Sequence, residues 1–142
     1  MFGKQRDATV RGSWAVCVAS VGLLLVGMVY GCIWYAIPDR PVAREWPVYG
    51  PLLLAPYALA ALGCWFSPNG LARALAALIV LAGVMVALVA LYDAWPTFCG
   101  GPAPGMPASA LVSGVLLVCQ YWAGVAAMVS GLAGRHKTPD PA

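Results

Sequence analysis

The residues through which this 142-residue chain could do chemistry are few: five cysteines, a glutamine inside an apolar run, and a single histidine. Cys17, Cys32, Cys64 and Cys119 fall in apolar runs, and Cys99 stands in a Gly/Pro-rich segment. Thiol–disulfide exchange needs two sulfurs within reach of each other and of the donor, and no CxxC is present. Cys32 and Cys99 are the two that approach the same end of the molecule, so a Cys32–Cys99 bridge is the one intramolecular disulfide the arrangement allows. The other cysteines are expected to pack as small apolar residues. His136 lies in a basic tail, so this chain alone supplies no pair of histidines for a haem inside the apolar runs. Cys, His, Asp and Glu nowhere cluster at metal-ligand spacing. The expectation is no metal, no cofactor and no catalytic residue.

Elimination extends to other reaction classes. No Asp, Glu, Lys or Arg lies in the core of an apolar run, which removes the carboxylate that a proton relay or cation-coupled carrier requires. The chain departs here from small four-span multidrug exporters, which depend on a membrane-embedded Glu. Four-span quinone-linked disulfide-forming enzymes share the architecture, but their outer paired cysteines have no counterpart. Walker A, GxSxG and HExxH are missing. The basic residues form no stripe interleaved with aromatics, so no nucleic-acid partner is expected.

Gln120 is the remaining polar candidate. It sits near the middle of Ala108–Gly134, a run of 27 residues without a charge. Helical periodicity places Ser109, Ser113, Leu117, Gln120, Gly124, Ala127 and Gly131 on one stripe. Six of these seven side chains are small or polar, so another helix can come close there. The amide has two uses. It can fix helix register through a hydrogen bond to Ser20 of the first span or to a backbone carbonyl, or it can line a polar pathway together with Ser109 and Ser113. The structural use is the simpler expectation.

The elements that position these residues follow from composition. The chain is 62% hydrophobic and 9% charged, against averages of about 45–50% and about 25% for soluble domains. Too few polar residues exist to clothe a soluble core of this size. Four apolar runs, at about 14–37, 48–66, 74–92 and 108–134, are each long enough to cross a bilayer. The sequence therefore predicts an all-α integral membrane protein, one domain over 1–142, with four transmembrane helices in two antiparallel hairpins. Met1–Ser13 reads as a short polar leader and the first run as a retained span, because it exceeds a signal core and no A-x-A-like site follows. Pro38–Pro47 reads as a loop in which Asp39, Arg40, Arg44 and Glu45 balance. Ser67-Pro68-Asn69-Gly70 reads as a tight turn. Asp93–Pro107, with four prolines and three glycines, reads as an outer loop. Pro56 is expected to kink the second helix. Gly27 and Gly31 make a GxxxG pair, whose simpler use is ordinary packing within the chain.

Basic residues set orientation. Lys4, Arg6, Arg11, Arg73, Arg135 and Lys137 share one side and Arg40 and Arg44 the other, so the positive-inside rule puts both termini in the cytoplasm of a plasma (inner) membrane protein. The function expected by elimination is non-catalytic: an accessory or interaction subunit that meets lipid and other membrane subunits, or copies of itself. A small homo-oligomeric channel or transporter is the alternative, as is a protective membrane protein that blocks a toxin or another pore.

Overall fold

The computed structural model describes residues 2–36, 42–67, 69–102 and 108–136. It is all-helical over these residues: α1 Phe2–Ala36, α2 Val42–Phe66, α3 Gly70–Phe98 and α4 Ala108–His136. All four are long and apolar enough to cross a membrane, over Gly12–Trp34, Arg44–Phe66, Gly70–Phe98 and Leu111–Arg135.

Several boundaries differ from the sequence expectation, each for a local reason. The polar leader is already helical from Phe2. Lys4, Gln5 and Arg6 are good helix formers, and nothing before Trp14 breaks the helix. The supposed loop to Pro47 ends earlier, since α2 starts at Val42 and takes in Arg44 to Pro47. Pro47 stands in the second turn of α2, where it forfeits the bond to the carbonyl four residues back and crowds that carbonyl, yet the helix continues through it. Asp39 and Arg40 lie outside the described residues. The supposed outer loop from Asp93 is helical through Phe98 despite Pro96, and α3 ends at Cys99, followed by Gly100 at φ 79°. The glycine takes the left-handed conformation that commonly stops a helix.

Helix pairing is not simply sequential. α1 packs on α2 and α3, and α4 packs on α2 and α3, while α1 and α4 do not meet among the described residues. The four therefore form a ring in the order α1, α2, α4, α3. The helices joined by the short turn, α2 and α3, face each other across it and touch more thinly than the ring neighbours. Asn69 holds that turn. Its Oδ1 accepts from the Ala72 N–H at 2.7 Å, capping α3, while its Nδ2 donates to the Ser130 carbonyl and Oγ of α4 at 3.1 and 3.0 Å.

The core is built from small side chains. Val18 and Val26 of α1, Tyr57, Ala60 and Cys64 of α2, Ala72, Ala76 and Ile79 of α3, and Ala127 of α4 form one buried cluster. Backbones come closest between α2 and α4. A Cβ placed on Gly63 would overlap the Ala127 carbonyl, and one on Gly131 would overlap the Gly63 carbonyl. This is the contact that small residues permit and larger ones forbid.

Candidate functional site

The polar centre of the molecule lies at mid-height, where Tyr57 of α2 reaches α1 and α3 and Gln120 of α4 reaches α2 and α3. Gly22, Tyr57, Gly83 and Gln120 each sit within about three residues of the midpoint of their apolar segment. Tyr57 projects from α2, lies against Gly22 of α1 and carries its hydroxyl to Gly83 of α3. A side chain at either glycine would collide with the ring or its hydroxyl. Gln120, only 3% exposed, approaches from α4. Its Nε2 donates to Tyr57 Oη at 3.1 Å and to the Ile79 carbonyl of α3 at 2.9 Å. That carbonyl lies one turn before Gly83, so its second lone pair is within reach of an amide from the neighbouring helix.

The amide therefore ties α4 to α2 and α3 at once. Each such bond contributes about 0.6–2 kcal/mol in a bilayer, where no water competes for the donor. Ser20, proposed as a partner from sequence, is exposed on α1, which does not touch α4. A cavity of about 30 Å³ adjoins the pair, lined by Leu25, Val26, Leu53, Val86 and Leu117 besides Tyr57, Gly83 and Gln120. It has room for a single water, and its walls are otherwise apolar.

The rest of the stripe on α4 points the same way. Gly124, Ala127 and Gly131 are buried with Gln120, while Ser113 is half-buried. The side chain of Ser109 lies outside the described residues. Pro56 meets this stripe from α2: a Cβ on Gly124 would stand 3.1 Å from the Pro56 carbonyl oxygen. Pro56 has no N–H for the Leu52 carbonyl four residues earlier. The Tyr121 hydroxyl of α4 donates to that freed carbonyl. The proline thus gives α4 a second polar anchor, one the sequence does not announce, because a missing donor has no spacing pattern.

Gly27 and Gly31 behave differently. Both are exposed, and among the described residues nothing lies within 4 Å of a Cβ built on either. They take no part in packing among the described residues. α1 turns Ala15, Val18, Gly22 and Val26 toward α2 and α3, and this leaves the GxxxG pair on the opposite face with Ser20, Leu23, Leu24 and Met28, all exposed.

Cys32 and Cys99 are separate thiols. Cys32 is buried against Ala94 of α3, whereas Cys99 caps the same helix five residues further on, about 7.5 Å along its axis. A disulfide requires Cα atoms about 4.4–6.8 Å apart. Cys64 is buried, and its Sγ lies 3.8 Å from the Ala72 carbonyl. Cys17 and Cys119 are exposed on different helices. Among the described residues, no three of His, Cys, Asp and Glu come together in a group fit for a metal ion. The side chain of His136 lies outside the described residues.

Comparison of the chain with protein-family models, with curated proteins and with solved structures finds no match.

Proposed function

We propose that the protein is a non-catalytic multi-span membrane protein that serves as an interaction subunit of a larger membrane assembly. Its helices would form antiparallel hairpins in the plasma (inner) membrane with both termini cytoplasmic. The six-to-two division of basic residues supports that orientation, because short loops rich in Lys and Arg are retained inside.

The observation that carries the reading is the outward GxxxG face of α1. Gly27 and Gly31 leave a shallow trough in which a second helix can approach to backbone contact, and the chain itself places nothing there. The channel alternative has less support. Gln120 has its amide N–H groups engaged by protein acceptors, and only about 30 Å³ of space adjoins it. No feature of the described residues favours the toxin-blocking alternative.

The test is a Gly27→Leu/Gly31→Leu double variant, compared with wild type by crosslinking in native membranes and by sizing in mild detergent. Because the added side chains meet nothing within the chain, thermal stability should stay level while wild-type complexes disappear. Complexes that persist unchanged would refute the role of this face. Robust ion or solute flux from the purified wild-type chain in liposomes would favour the channel instead.

A further inference from the structure

The end of the bundle that carries the α1 and α3 N-terminal turns holds a cation that makes no ion pair among the described residues. Arg73 lies one turn into α3, and its Cζ stands 5.7 Å from the centre of the Trp14 ring on α1. Its Nε is buried and meets no acceptor, and among the described residues its side chain makes no ion pair. The side chain is half-buried, so its Nε is left without an acceptor while the guanidinium stays within reach of an anion at the end of the bundle.

A groove between α1 and α3 runs away from this pair toward the middle of the bundle. Trp14, Cys17 and Val21 line it on one side, and Ala77, Val80 and Val84 on the other. Its floor is apolar throughout and has a volume of about 350 Å³. From Ala77 to Val84 it extends about 10 Å along the helix axis, comparable with the upper half of a lipid chain in one leaflet.

We propose that this groove binds an anionic phospholipid, its phosphate on the Arg73 guanidinium and one acyl chain against Val21, Ala77 and Val80. The proposal rests on the membrane reading above. Charge complementarity selects the ligand. A single cation at the mouth of an apolar trough matches an amphiphile with one net negative charge, and a guanidinium donates to two phosphate oxygens at once through parallel N–H groups. Trp14 holds the guanidinium from one side by its ring face and leaves its terminal nitrogens for the headgroup.

Native mass spectrometry of the detergent-purified chain tests this, with phosphatidylglycerol and phosphatidylcholine supplied in equal amounts. Retention of phosphatidylglycerol should exceed that of phosphatidylcholine by about fivefold, the ratio expected for one arginine–headgroup pairing. Arg73→Gln should abolish the preference. Ala77→Trp, which fills the trough, should lower retention of both lipids. Excess glycerol 3-phosphate should displace neither. Equal retention of the two lipids by wild type, a preference that survives Arg73→Gln, or displacement by the soluble phosphate would each overturn the site. Should Arg73→Gln fail to fold, the wild-type competition and Ala77→Trp decide alone. Carbonate extraction of native membranes separates the two claims: release of the chain refutes the membrane reading itself, while a carbonate-resistant chain without lipid preference refutes the lipid site only.

Discussion

Two glycine faces of this molecule look alike in sequence and do opposite things. Gly124, Ala127 and Gly131 on α4 are sealed against α2, with Gly63 so near that a methyl group would overlap main-chain oxygen. Gly27 and Gly31 on α1 repeat the four-residue step of Ala127 and Gly131, yet among the described residues a Cβ on either would meet nothing. The difference lies in the neighbours. α4 has a polar residue, Gln120, that must turn inward to find acceptors, and the glycines on its stripe follow it. α1 has only Ser20 at that depth, and it is exposed, since a short hydroxyl can bond a carbonyl of its own helix without turning inward. The inward direction of α1 is set by where Tyr57 needs a gap, at Gly22, and the GxxxG pair is left outside.

Substitutions along both faces sharpen or break this contrast. The largest effect is expected at the sealed contact. Gly63→Val forces α2 and α4 apart, and overpacking of that kind costs about 1–3 kcal/mol or more. Unfolding followed by helical circular dichroism in mixed micelles should show the loss, and an unchanged midpoint would mean that α2 and α4 do not meet there. Gln120→Leu removes both interhelical bonds and should lower stability by about 1–2 kcal/mol in the same assay. A stably folded Gln120→Leu protein that loses a solute flux present in wild type would instead assign the amide to a pathway. Tyr57→Phe keeps the ring between Gly22 and Gly83 and deletes only the hydroxyl, so about 0.6 kcal/mol is expected. A double-mutant cycle with Gln120→Leu isolates their coupling, and additive effects would show that the hydrogen bond contributes nothing. Gly27→Leu should change stability by less than about 0.5 kcal/mol. A marked loss in the monomer would place that face inside the bundle after all.

Much of this was legible from residue types. Four charge-free runs led to four helices, and the periodicity of Gln120 with Gly124, Ala127 and Gly131 picked out the face of α4 that lies buried. Of the acceptors of Gln120, the backbone carbonyl expected from sequence is present at Ile79, but the Tyr57 hydroxyl is not legible. A tyrosine at mid-span carries no spacing rule, and its position depends on two glycines from helices far away in sequence. The helix ends were also misjudged at Pro47 and Pro96, where turn-forming residues sit in helical turns. Proline removes one hydrogen bond per occurrence, which a helix anchored by its neighbours tolerates. The outward direction of Gly27 and Gly31 could not be read either, since GxxxG states how near a neighbour can come and not whether one is there.

The convergence at Tyr57 bears on the order in which the chain can assemble during synthesis. Helices enter a bilayer individually and associate afterwards, and α4 is the last of the four to emerge. Until it arrives, the Tyr57 hydroxyl and the spare lone pair of the Ile79 carbonyl have no Gln120 amide to meet them. α1 and α4 share no contact, so α1 can settle against α2 and α3 without waiting. Gln120 then closes the structure from the opposite side, and a nascent chain halted before α4 would be a three-helix intermediate with an open polar seam at the centre of the bundle. The last helix to be made is therefore the one that satisfies the polar centre of the other three.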